Sequence, residues 1–357
     1  MRARDIAGEI RRGVASGTAR VVLLALMAAV VGIVAVAADL ATVRQLTAEA
    51  AAFHAAGGST MIIIAPARVD GEACERLTEV PGVEAAGALR PASTLATAVL
   101  PSAPLTAYDV TPAFARLFDR AAAGAGTFLS ADAADALGAG PGAAVATAAG
   151  DMPVAAVYDY PSDGRRQGLG WAVLRPVTAD TGFDECWARA WPPQPQLRAM
   201  LAGTLMPAAA GPDAENPEYA QLNAAFGAEF TGHERFLARP TAWAPLMAGG
   251  VAALIGFAAV RARRLEFASN LHVGATRGTI MVTALGEAAV WAASAALLVA
   301  SAVAVLAAGF APDDVPAVLG EGMKTPMLVF TGALLGTAAS LALVRERHLF
   351  AYFKDRA

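Results

Sequence analysis

The residues that could do chemistry in this chain of 357 are few and scattered. Its four histidines, His54, His233, His272 and His348, form no H-x-x-x-H pair, so no helix offers two imidazoles to one metal ion. No G-x-S-x-G elbow is present to expose a nucleophilic serine. Lys324-Thr325 follows Met323 rather than the glycine of a phosphate-cradling loop. Gly138, Gly140 and Gly142 come after a helical pattern, the wrong setting for a dinucleotide fold. Nothing here assembles an active site, and no enzyme activity, metal or cofactor is expected of this chain. The two cysteines, Cys74 and Cys186, are too few for a zinc ribbon or a disulfide-dense scaffold. They could bridge, closing a loop of about 110 residues, or stay as two buried thiols; geometry decides between these. Glu287 lies inside an apolar segment, where a carboxylate is a functional candidate by default. The alternative places it near the headgroups, because Arg277 precedes it closely.

The elements that must carry these residues are mostly apolar. Hydrophobic residues make up 56% of the chain and charged ones 16%, with mean hydropathy +0.48. This excludes an ordinary soluble globule and a disordered chain. Four runs lack charge altogether: residues 21–38, 240–260, 288–311 and 325–344. A bilayer core about 30 Å thick needs roughly 20 such residues, so each run can span. The first has a second reading, because Ala35-Val36-Ala37 resembles a signal-peptidase site. Its length, and the helical spacing that continues through Leu40, Val43, Leu46, Ala50 and Phe53, favour an uncleaved anchor.

Orientation follows from the basic residues. Arg2, Arg4, Arg11, Arg12 and Arg20 precede the first span. Arg261, Arg263, Arg264 and Arg277 lie between the second and third, and Arg345, Arg347, Lys354 and Arg356 follow the fourth. Only Asp5, Glu9, Glu266, Glu346 and Asp355 oppose them on that side. The other side is strongly acidic, although the whole chain nets only −4. Both termini are therefore expected in the cytoplasm of a multi-pass protein of the cell membrane. The basic residues border spans, which suits membrane lipids or a protein partner and not nucleic acid.

The expected fold is a helical membrane protein with four transmembrane helices and a large α/β extracytoplasmic domain inserted between the first and second. Residues 1–20 read as an amphipathic interfacial helix, with Ile6, Ile10 and Val14 on one face. The spans are 21–40, 240–260, 279–311 and 325–344. Residues 41–239 form the external domain, 312–324 an external loop and 345–357 a cytoplasmic tail. Within the domain, Met61–Ala65 and Val83–Leu89 read as strands, joined by a helix capped at Asp70. Further helices are expected over 111–120 and 130–137, the latter stopping at Gly138, and further strands over 154–158 and 171–174. Residues 207–217 read as a linker. Tyr219, Leu222, Phe226 and Phe230 recur at helical spacing. That helix and the one continuing from the first span could form stalks at both ends of the domain or simply pack on it. Ala292 to Ala296, and the Gly332/Gly336 pair, suit close helix packing.

The informative stretch is 261–278. Leu265, Ala268, Leu271 and His272 share a helical face, Gly274 suits a helix stop, and Thr276 can cap the next helix. On spacing alone this is a short helix along the membrane surface or an ordinary basic loop. The run Glu266-Phe267-Ala268-x-x-x-His272-Val273-Gly274-Ala275-Thr276-Arg277 resembles the loop between the second and third spans of FtsX-like permeases, the family that includes the MacB-type ABC transporters. The order of one span, a large external domain and three further spans resembles that family too. Two departures stand out: Leu265 replaces the family's basic residue before the glutamate, and Ser269-Asn270 replace apolar positions.

The resemblance implies a permease subunit of the mechanotransmission type, which couples ATP hydrolysis in a separate ABC ATPase to movement of the external domain, for export or extraction of a substrate. Its alternative is a non-transporting regulator that activates an extracytoplasmic cell-wall hydrolase or sensor protein. It implies a coupling element formed by Arg263, Arg264, Glu266, Phe267, His272, Gly274, Ala275, Thr276 and Arg277, with Phe267 as an anchor in the ATPase. It implies a second permease copy or paralogue, and ATP with magnesium in the partner subunit.

Overall fold

The computed structural model describes residues 3–118, 126–148, 150–207, 216–227 and 230–345. They form two compact units, one of residues 1–48 with 233–357 and one of residues 49–232. Helices α1 (Ala3–Ala15) and α2 (Val21–Ala55) open the chain. The apolar spacing beyond Asp39 is used: α2 runs unbroken through Ala35-Val36-Ala37, and Val36, Leu40, Val43 and Phe53 are all buried.

Residues 49–232 build a nine-stranded mixed sheet. Its strands are β1 (Thr60–Asp70), β2 (Val83–Pro91), β3 (Thr106–Val110), β4 (Thr127–Ser130), β5 (Ala144–Thr147), β6 (Gly150–Tyr158), β7 (Ala172–Pro176), β8 (Thr181–Ala190) and β9 (Glu218–Gln221). The order across the sheet is β5-β6-β4-β7-β3-β2-β8-β1-β9. Only β3 with β7 and β4 with β6 run parallel. Strand β8 lies between β1 and β2, with Ile63 and Ala88 both opposite Cys186. Successive residues point to opposite faces. Ile62 and Trp187 therefore enter one apolar layer with Leu89, Val110 and Phe114, while Ile63 and Cys186 enter the other with Cys74, Phe183 and Leu201. Burial on both faces is why the strand reads as an uninterrupted Met-Ile-Ile-Ile-Ala run.

Three short helices decorate this sheet: α3 (Gly71–Arg76), α4 (Ala131–Leu137) and α5 (Leu197–Ala202). Asp70 caps α3 by accepting from the Ala73 N–H at 3.0 Å. Helix α4 stops at Gly138, which takes a left-handed conformation, φ 61°. Cys74 of α3 is bonded to Cys186 of β8, Cα atoms 5.9 Å apart, across a sequence separation of 112.

Two expectations fail here. Residues 111–120 give only a 3-10 turn, Phe114–Leu117; residues 119–120 lie outside those described. Tertiary contacts claim the start of that segment. Thr111 Oγ1 accepts the Ala88 N–H at 3.0 Å, Glu75 accepts the Ala113 N–H at 2.6 Å, and Phe114 is packed directly against Gly87. The helix expected from Tyr219 to Phe230 does not form. Residues 218–221 instead add β9 to the edge of β1, whose backbone groups would otherwise lack partners, and Leu222 enters the sheet core. Among the described residues, no long helix precedes α6 (Gly232–Leu237) in this stretch. The linker assigned to 207–217 falls mostly outside the described residues.

The remaining chain is helical: α7 (Ala244–Ala262, after a 3-10 turn Pro240–Trp243), α8 (Arg264–His272), α9 (Arg277–Ala307), α10 (Val315–Gly322) and α11 (Lys324–Leu343). Segment 312–324 is thus largely helical rather than a loop, and the tail beyond Arg345 is outside the described residues. Among the described residues, four segments are long and apolar enough to cross a membrane, Val21–Ala55, Gly232–Ala262, Arg277–Ala307 and Val315–Ala342. Their mutual core is rich in small residues, Ala25, Ala28, Ala29, Ala248, Ala252, Ala288, Ala292 and Ala295, packed with Trp291, Ile255 and Val329. Helices α7 and α11 touch backbone to backbone. A Cβ on Gly332 would lie 2.2 Å from the Gly249 carbonyl oxygen, and one on Gly336 1.8 Å from that of Ala253. Only glycine permits that approach.

Candidate functional site

The turn between α7 and α8 is made by Arg263, whose φ of −104° and ψ of 13° end one helix and begin the next. That position aims its guanidinium at two carboxylates. Nε and Nη2 donate to Glu266 at 2.9 and 2.8 Å, and Nη1 donates to Glu287 at 2.5 Å. The guanidinium also lies 5.1 Å from the Phe267 ring centroid. Burial disfavours its charge, but the hydrogen bonds to Glu266 and Glu287 outweigh this and raise its pKa.

Glu287, on α9, is 6% exposed. It is a paired, buried carboxylate where three helices meet: a Cβ on Gly13 of α1 would lie 2.1 Å from Glu287 Oε1, and one on Gly286 would meet Ile10. Charge pairing and two glycines thus join α1, the α7–α8 turn and α9.

Phe267 is buried within its own chain, 5% exposed, against Val260, Ile280, Ala284 and Leu341. It therefore presents no anchor to another protein. Leu271 and Ala275 extend the same apolar layer. Gly274 leaves α8 with φ 94°, a conformation glycine tolerates, and its N–H donates to the Leu271 carbonyl at 3.1 Å. Thr276 Oγ1 then accepts the Thr279 N–H at 3.3 Å and caps α9, with Arg277 exposed as its first residue. Arg264 is half-buried and His272 exposed.

The opposite face of α8 is open. Glu266, Ser269, Asn270 and Val273 are exposed at i, i+3, i+4 and i+7 spacing, and Val273 is 84% exposed. Ser269, Asn270 and Val273 are not among the coupling residues that the resemblance implies. The available signal was the helical phase: a face complementary to Phe267, Ala268 and Leu271 must carry them.

A second charge network was also missed. Arg239 Nε donates to Asp39 of α2 at 2.9 Å and Nη2 donates to Glu321 of α10 at 2.8 Å; Nη1 reaches the Phe236 carbonyl at 2.9 Å. Side chains Arg239 and Asp39 are each 5% exposed, and Lys324 pairs with Glu321 at 2.5 Å. Asp39 and Arg239 border the uncharged runs, so in sequence they look like ordinary interfacial residues. Within the sheet unit, Arg166 grips Glu185 through two bonds of 2.6 and 2.7 Å, and Trp187 Nε1 donates to the same carboxylate at 2.8 Å. Burial pushes the neighbouring Tyr158 and Tyr160 phenols up, so both stay neutral. No group of three or more His, Cys, Asp or Glu among the described residues is placed to hold a metal ion.

No family model matches the chain, and neither does any curated protein. Among solved structures, it is similar to the periplasmic region of MacB from Actinobacillus actinomycetemcomitans, at 11% identity over 41% of this chain and 81% of that one, TM-score 0.31. It is also similar to the extracellular domain of the noncanonic ABC-type transporter YknZ from Gram-positive bacteria, at 14% identity over 42% of this chain and 100% of that one, TM-score 0.28.

Proposed function

We propose that this chain is the membrane subunit of an ATP-driven complex of the mechanotransmission type. A separate ABC ATPase docks on α8, and nucleotide-driven closure of that partner becomes movement of residues 49–232, which act on a substrate for export or extraction. The supporting observation is the two-sidedness of α8. One face is locked to α7 and α9 through Arg263, Glu287 and Phe267, and the other is an exposed stripe ending in Val273. A helix seated in this way passes an applied force to the spans instead of absorbing it. The stripe combines an apolar tip with polar and acidic neighbours, a composition suited to a docking contact. The excess of arginine around α8 supports a cytoplasmic position for this face, the side on which an ATPase would dock.

The test is co-purification of the tagged full chain with its ATPase from native membranes. Val273→Asp and Asn270→Arg are expected to lower recovery of the ATPase about tenfold, a loss matching a hot-spot contact of about 1.4 kcal/mol, while thermal stability is kept. A single cysteine at Ser269 should react with a membrane-impermeant maleimide only after the cells are opened. Unchanged recovery with both variants, or labelling of intact cells, overturns the proposal.

A further inference from the structure

Beside α8 lies a cavity of about 1290 Å³, larger than the 300–1,000 Å³ usual for small-molecule sites. Its lining is divided by chemistry. Arg20, Arg261, Arg263 and Arg264 stand at one end with Glu266 and Glu287, the only acidic residues that line it. Arg263 engages both carboxylates, so the rim keeps a net positive charge. The stretch of wall formed by α2 and α7 is apolar, through Leu23, Met27 and Leu254, while Ser16, Thr18, Ser269 and Thr337 add uncharged polar groups elsewhere in the lining. Leu23, Met27 and Leu254 are 53%, 48% and 69% exposed, so no described residue covers them.

The dimensions name the occupant. The wall runs down α7 from Arg261 to Val251, about 15 Å at 1.5 Å per residue. That is half of a bilayer core about 30 Å thick. A groove one leaflet deep, apolar along its α2 and α7 wall and cationic at its mouth, complements an anionic phospholipid better than a nucleotide or a peptide. We infer that this cavity binds an anionic phospholipid of the leaflet beside α8, with its headgroup phosphate on Arg20, Arg261 and Arg264 and an acyl chain between α2 and α7. The inference rests on the spans and is independent of ATPase docking.

The full chain, purified in detergent and offered equimolar palmitoyl-oleoyl phosphatidylglycerol and phosphatidylethanolamine, is read by native mass spectrometry. Phosphatidylglycerol adducts are expected to exceed phosphatidylethanolamine adducts about tenfold, as three arginines near a headgroup warrant. The triple variant Arg20→Gln, Arg261→Gln, Arg264→Gln should bring that ratio close to one. Arg11→Gln with Arg12→Gln, outside the cavity, should keep it. Ala258→Trp should fill the groove and remove both adducts. Equal adducts on the unaltered chain overturn the inference, as does an equal loss in the Arg11/Arg12 variant. Displacement of phosphatidylglycerol by free glycerol phosphate at matched concentration also overturns it, since it would reveal a soluble-anion site. The ratio on the unaltered chain and the glycerol phosphate competition decide the matter even if a variant fails to fold.

Discussion

Replacing Arg239 by methionine should destabilise the helical unit more than removing its partner Asp39. Both Asp39 oxygens face Arg239, at 2.9 and 3.5 Å, and the carboxylate has no other hydrogen-bond partner among the described residues. Arg239→Met therefore strands a charge whose side chain is 5% exposed. Breaking a buried pair in this way costs about 3–5 kcal/mol. Asp39→Leu is gentler, because Arg239 retains Glu321 at 2.8 Å and the Phe236 carbonyl. Its expected cost is about 1–3 kcal/mol, that of lost charge-assisted bonds. Glu321 is not stranded in either variant, since Lys324 stays beside it. The double variant exchanges the pair for apolar side chains and should cost about 0–2 kcal/mol, well below the sum. Unfolding of the four proteins in one detergent, followed by tryptophan fluorescence, gives the cycle. If Arg239→Met proves milder than Asp39→Leu, or if the two effects add within about 0.5 kcal/mol, the buried-pair argument fails.

Three further outcomes follow from the packing. Gly336→Ala drives a methyl group into the Ala253 carbonyl and should lower stability by about 1–3 kcal/mol or more, read as a fall in the unfolding midpoint. Phe267→Ala should cost about 3–5 kcal/mol, whereas the exposed Val273→Asp should stay within about 0.5 kcal/mol; equal midpoints for these two would contradict the burial of Phe267. Replacing Cys74 and Cys186 together by alanine opens a loop of 112 residues and should cost up to about 4–5 kcal/mol, measured by denaturant unfolding of the oxidised and substituted full chains.

Sequence showed the spans because uncharged runs of this length have few other uses. It showed β1 because a strand buried on both faces loses its alternation, and α3 because its cap is local to Asp70. What escaped it depends on partners far along the chain. Tyr219 and Leu222 carry helical spacing, yet the free edge of β1 takes them as a strand. Thr111 looks like a helix cap, yet its hydroxyl accepts from Ala88 and the caps of its neighbours come from Glu75. On α8 the periodicity marked an apolar face but not its direction. Phe267 turns toward Ile280 and Leu341, and the exposed face falls to Ser269, Asn270 and Val273. Arg263 and Arg239 are read as interfacial charges because their carboxylates, Glu287 and Asp39, are 24 and 200 residues away.

The bond between Cys74 and Cys186 also ties maturation to place. Its sulfurs belong to residues that are 0% exposed. The cytosol keeps thiols reduced, whereas the far side of a cell membrane allows oxidation. Under the proposed orientation, a chain threaded into the bilayer the wrong way round would hold two shielded, unjoined thiols, and alkylation after unfolding would count them. The state of one pair of sulfur atoms then records, molecule by molecule, the direction of insertion.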